Sequence, residues 1–174
     1  MRYTEEYIVR NSCLGYFLDL MGEPAKPPDA PSANPSKFDS IHSMQLGAPL
    51  RVLVADDHEM VRIGVCTMLQ SRQIEVCGQA KNGQEAVEKS RQLRPDLIIL
   101  DISMPVLGGI EAAQQIRLFL PDVPILFFST HNTSQLSAIA KSVGAQGFVT
   151  KDQMAVTLLE AVDALREKKT FFSF

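Results

Sequence analysis

The chain has 174 residues, 45% hydrophobic and 21% charged, with a net charge of −3. That length suits one globular domain plus an extra segment, and the weakly acidic balance argues against a nucleic-acid-binding surface. Three cysteines without a CxxC spacing indicate neither a disulfide framework nor a zinc site; no apolar run approaches the roughly 20 residues of a membrane span; and Glu5 and Glu6, with no clean hydrophobic stretch, speak against a secretory leader, so the expected compartment is the cytoplasm.

Residues 1–49 differ in character from the rest. Six of the ten prolines lie there: Pro24, Pro27, Pro28, Pro31, Pro35 and Pro49. Gly22 to Ser43 is rich in Pro, Ala, Ser and Asp and poor in core formers, which predicts a disordered linker. Tyr7 to Met21 is more apolar and has the makings of a short helix. An upstream start codon, with translation proper beginning at Met44, explains the extension equally well.

From Leu50 the chain alternates strand and helix. Leu50 to Ala55 reads as a buried strand closed by Asp56-Asp57. His58 to Leu69 carries apolar residues at helical spacing. Ile74 to Ala80 is a second strand, and Asn82 caps a helix over 83–93. Asp96-Leu97-Ile98-Ile99-Leu100-Asp101 sets four apolar residues between two aspartates, the pattern of a strand buried on both faces. Gly109 to Leu120 is a helix stopped by Pro121. Ile125 to Phe128 is a strand closed by Ser129-Thr130, Ser134 to Val143 a helix ending at Gly144, Phe148 to Thr150 a strand closed by Lys151, and Gln153 to Glu167 the last helix.

Five βα units in about 120 residues predict an α/β fold: a doubly wound, five-stranded parallel sheet of order 2-1-3-4-5 with helices on both faces. The predicted domain is 50–168, with a short tail at 169–174. In such a sheet all strand C-termini share one edge, where ligands bind. That edge gathers Asp56, Asp57, Asp101, Ser129, Thr130 and Lys151. Clustered carboxylates suit a hard divalent cation such as Mg²⁺. A lysine and a hydroxyl beside them suit phosphoryl oxygens. Together they describe phosphoryl transfer to an aspartate.

Each residue also has a plainer reading. Asp56-Asp57 fit a helix N-cap, Asp101 and Ser129 fit turn formers, Lys151 fits a solvated surface residue, and Phe148 fits the core. His58, beside two aspartates, suits an exposed helix-start residue better than a transition-metal ligand. There is no GxxxxGK[ST] and no GxGxxG.

Val54-Ala55-Asp56-Asp57-His58, Asp101-Ile102-Ser103-Met104-Pro105, Phe127-Phe128-Ser129 and Gly147-Phe148-Val149-Thr150-Lys151-Asp152 stand in the order and spacing of a known set of motifs. From about Leu50 to Lys168 the chain resembles a response-regulator receiver domain of two-component signalling, in its NarL/FixJ-like form. The resemblance implies that Asp101 accepts a phosphoryl group. It implies that Asp57, Asp101 and the Ser103 carbonyl bind Mg²⁺ directly while Asp56 assists. Lys151 would pair with the phosphoryl group, Ser129 would be the switch hydroxyl and Phe148 the switching aromatic. The protein would be a signalling phosphoacceptor and not an enzyme beyond its own phosphoryl transfer and dephosphorylation. Its partners would be a sensor histidine kinase or phosphotransfer protein, a downstream protein and, on phosphorylation, a second copy of itself.

The subfamily usually carries a helix-turn-helix output domain after the receiver, whereas this chain stops at Phe174. Without a recognition helix, direct nucleic-acid binding is not expected. Three readings follow: a phosphoacceptor acting by protein contact, a transcription regulator lacking its DNA-binding half, and a pseudo-receiver that binds partners without phosphorylation. The intact acidic pair, acceptor, hydroxyl and lysine speak against the third. Phe171, Phe172 and Phe174 are expected to form an exposed aromatic finish able to make contacts.

Overall fold

A computed structural model of the chain describes residues 49–130 and 134–173. The expectations for the N-terminal extension up to residue 48, and for Phe174, lie outside the described residues. In chain order the elements are β1 (Arg51–Ala55), α1 (Glu59–Ser71), β2 (Glu75–Ala80), α2 (Gly83–Leu93), β3 (Leu97–Asp101), α3 (Gly109–Arg117), β4 (Ile125–Ser129), α4 (Ser134–Ser142), β5 (Gly147–Thr150), α5 (Met154–Arg166) and β6 (Phe171–Phe172). One turn of 3-10 helix, Lys151–Gln153, leads into α5.

All strand pairs are parallel, in the order β2-β1-β3-β4-β5-β6. The side-chain period of two divides each strand between two layers. Leu53, Ile98, Leu100, Ile125, Phe127 and Phe148 face helices α2, α3 and α4 through Ala86, Ala112, Ile116 and Ala140. Val52, Val54, Ile99, Leu126, Phe128 and Val149 face α1 and α5 through Val65, Leu69, Leu158 and Val162. β3 and β4 are buried along their whole length, which is why both read as near-continuous apolar runs.

The five expected strands and their order are present. The sixth is a correction. The tail adds a parallel strand to β5, with Gly147 opposite Phe171 and Phe148 opposite Phe172. Phe171 and Phe172 are half-buried, one against each core layer. The aromatic finish is therefore packed at these two residues, because each ring finds an apolar surface beside the edge of β5.

Element ends follow local chemistry. Asn82 caps α2 as expected, its side chain accepting from the Glu85 amide at 2.8 Å, while Glu85 reaches back to the Lys81 amide at 3.3 Å. The third helix ends at Arg117, three residues before the expected Leu120. The Arg117 guanidinium turns back to donate to the carbonyls of Leu120, Pro121, Val123 and Gly144 and to the Gln146 side chain. Gln146 Oε1 also accepts from the Ile125 amide at 3.0 Å. One side chain thus ties the end of α3 to the start of β4 and to the α4–β5 turn. Replacing Arg117 by Ala should lower stability by about 2–3 kcal/mol, since several partly buried carbonyls lose their donor at once. Urea unfolding should show a lower midpoint with an unchanged slope.

Candidate functional site

Asp101 and Ser129 are the last residues of β3 and β4, Asp56 follows β1 directly, and Lys151 follows β5. Parallel pairing alone brings them to one edge. Asp101 stands opposite Phe128 in the register, and Ser129 opposite Thr150. Asp56, Asp101, Ser129 and Thr150 are all buried.

Lys151 binds two of the carboxylates together. Its Nζ lies 2.7 Å from Asp56 Oδ2 and 3.1 Å from Asp101 Oδ1. Its side chain is only 13% exposed, and its ammonium sits over the Phe128 ring, 5.8 Å from the centroid. A solvated surface lysine would have none of these contacts. Burial pushes the Asp101 carboxyl above its usual range; the Lys151 charge pulls it down, and the Asp56 charge adds to the rise.

Neither Asp56 nor Asp57 caps α1. His58 is the N-cap residue, and its side chain makes no cap bond. Asp56 Oδ1 instead accepts from the His58 amide at 2.9 Å. The His58 imidazole, exposed as expected of a helix-start residue, also reaches the acids: Nδ1 is 2.7 Å from Asp57 Oδ1 and 3.5 Å from Asp56 Oδ1. One ligand atom from each of Asp56, Asp57 and His58 lies within 4.8 Å of the others. Arg62 gives its guanidinium to the backbone carbonyls of Asp56 at 2.9 Å and Asp57 at 3.4 Å, fixing the chain that presents the pair.

The loop after β3 holds Asp101 in place. The Gly109 amide donates to the Ile102 carbonyl at 2.9 Å, and the Gly83 amide to the Leu107 carbonyl at 3.1 Å. Met104 is buried beneath the loop. Ser103, expected to offer a carbonyl to the metal, lies in the exposed part that immediately follows Asp101. Between the two pins, the Leu107 amide bonds the Pro105 carbonyl at 2.8 Å, closing a three-residue turn around Val106 at φ 70°. Such a turn is strained, and a β-branched residue resists it most.

The sequence reading placed every acid, the lysine and the hydroxyl at this edge, and they are there. It missed the contact of His58 with Asp57, the clamp made by Arg62, and Thr150. The Thr150 hydroxyl is buried without a hydrogen-bond partner. Strand alternation could have flagged Thr150, which shares the face of Phe148 two residues away. Nothing in the sequence signals where the Arg62 side chain turns. Beyond the ion pairs with Lys151 and His58, Asp56 Oδ2, Asp57 Oδ1 and the Asp101 oxygens are buried with few donors to satisfy them. Hard, under-satisfied oxygens of this kind fit a divalent cation with open water positions.

A family model described as response regulator receiver domain matches residues 52–163. The chain is similar to the transcriptional regulatory protein LnrK of Bacillus subtilis, at 40% identity over 114 residues, 65% of this chain and 52% of that protein. The chain spans between 52% and 60% of the length of the first curated relatives it matches. Among solved structures it is similar to a LuxR-family two-component response regulator from an Aurantimonas species, at TM-score 0.68 and 31% identity over 71% of this chain and 89% of that one. The signal receiver domain of the putative response regulator NarL from Mycobacterium tuberculosis matches at TM-score 0.66 and 31% identity, over 70% and 98%.

A Cβ on Gly109 would run into the backbone carbonyl of Asp101. Backbone cannot yield as a flexible side chain can, so Gly109→Ala must displace the acid or the loop. Calorimetry should show a loss of about 1–3 kcal/mol, the cost of overpacking. Gly64→Ala is the control, since its Cβ would meet only Met154 Cε at 3.5 Å, an ordinary contact.

Proposed function

The chain belongs to the response regulator receiver domain family, and on that premise we propose that it takes a phosphoryl group on Asp101 from a histidine kinase or phosphotransfer protein and signals through protein–protein contact. The observation that carries this reading is the largely enclosed ammonium of Lys151, held between Asp56 and Asp101. It marks the place where an ammonium can stay on the phosphoryl oxygens throughout the transfer.

In the proposed reaction an Asp101 carboxylate oxygen attacks the phosphorus. The bond from phosphorus to the donor breaks, and the leaving group keeps that electron pair. Lys151 neutralises charge on the transferring group, and Ser129 donates to one of its oxygens once it has arrived. Mg²⁺ would be held by Asp57, Asp101 and the Ser103 carbonyl, with Asp56 in support, and would supply charge neutralisation. His58 is a poor rival ligand for that ion, because imidazole suits transition metals while carboxylate and carbonyl oxygens suit Mg²⁺.

Met60 and Ile63 on α1, Val106 in the loop beside Asp101 and Val156 on the first turn of α5 are exposed apolar side chains. Gly64 lies near Met154, so α1 and the start of α5 adjoin. In this reading they give a phosphodonor protein apolar ground close to the acceptor. Among the described residues no helix is long and apolar enough to cross a membrane.

A second reading has its own support. The curated relatives are about twice as long as the matched region, and one is named a transcriptional regulatory protein. The chain would then be the receiver part of a transcription regulator. The coding region immediately downstream of Phe174 separates the two readings.

With Mg²⁺ and acetyl phosphate, intact mass spectrometry should find one phosphoryl group on the protein and none on Asp101→Asn. Equal labelling of that variant would remove Asp101 from the role. Asp57→Ala should weaken Mg²⁺ binding at least about tenfold, a loss that even removal of a ligand's outer partner produces. Asp56→Ala should weaken it less, because Lys151 already satisfies part of Asp56. Titration that ranks the two variants equally would contradict this division of labour.

A further inference from the structure

β6 lies beside Phe148, the residue that the resemblance to receiver domains implies as the switching aromatic. The Phe171 amide donates to the Gln146 carbonyl at 2.9 Å, and the Ser173 amide to the Phe148 carbonyl at 3.0 Å. Register partners in a parallel pair project to the same face. Phe172 therefore stands next to Phe148, in the layer of α2, α3 and α4, and packs against that core. Lys141 of α4 lies over the Phe172 ring, 4.5 Å from its centroid. The one ring touches the β5 edge and α4 together. Phe148 is fully enclosed, and Phe172 is its neighbour on the open side of β5.

We propose that β6 is a strap in cis: it closes the β5 edge and joins it to α4 in the unphosphorylated protein, and phosphorylation of Asp101 loosens it. The proposal rests on the phosphoacceptor reading above. A phosphoryl group on Asp101 draws Ser129, at the end of β4, toward its oxygens. Phe127 and Ser129 share the face of Phe148, and Phe127 pairs with Phe148 in the register. Movement of the Ser129 side chain changes the packing under Phe148, and any rotation of Phe148 removes the wall against which Phe172 rests. A strand of two residues is among the least costly elements of a fold to release. Its release frees the backbone groups of β5, the remaining edge of the sheet.

Hydrogen exchange at the Phe171 and Ser173 amides tests this in the full chain, with and without Mg²⁺ and beryllofluoride. Fluorine NMR on the same samples reports whether beryllofluoride sits at Asp101. Exchange at both amides should rise at least about tenfold on binding. Phe172→Ala should raise it without beryllofluoride, and Phe172→Leu, which keeps apolar bulk, should stay close to the wild type. Bound beryllofluoride with unchanged or slower exchange would overturn the strap and leave the phosphoacceptor reading standing. Slow exchange in Phe172→Ala would overturn it too. Absence of both beryllofluoride binding and Asp101 labelling would bring down the two proposals together.

Discussion

Two buried carboxylates share one ammonium with a third carboxylate beside them, and the site depends on that imbalance. Asp56 and Asp101 share Lys151, while Asp57 has the exposed imidazole of His58. Arg62, the nearby cation that could have restored neutrality, is directed at backbone carbonyls instead. Charges at this range attract and repel strongly where water is scarce, so the excess of negative charge creates a standing demand for a positive guest. The fold sustains the imbalance because parallel strands deliver all their ends to one edge. Lys151 has little freedom to leave, held in a single 3-10 turn between β5 and α5.

The main lines of this arrangement were legible because they rest on short-range patterns. Apolar runs that begin just after Pro95 and Pro124 and end at Asp101 and Ser129 mark β3 and β4 whatever lies around them, and Asn82 followed by Glu85 marks the start of α2 by itself. The convergence of Asp56, Asp101 and Lys151 follows from strand order alone. What escaped was decided by distant partners. Phe171-Phe172 is too short to display an alternation, and becomes a strand only because Gly147 and Phe148 leave an edge open. Arg117 ends α3 early because its side chain finds carbonyls on both sides of β4, a destination no local propensity encodes. His58 was read correctly as a helix-start residue, yet its contact with Asp57 depends on a side-chain direction that spacing does not reveal.

The strained turn at Val106 has a wider consequence. The backbone is held there by bonds at both ends, Gly109 to Ile102 on the side of the acceptor and Gly83 to Leu107 on the side of α2. A residue in this conformation stores on the order of 1–3 kcal/mol, and the loop cannot shed it while both anchors hold. It behaves as a sprung clasp whose far hinge is the first turn of a helix that contributes nothing to the chemistry. Fraying at the Asn82 cap would therefore free the Leu107 end of the loop and relax the spring, while the pairing of β3 with β4 keeps Asp101 in register.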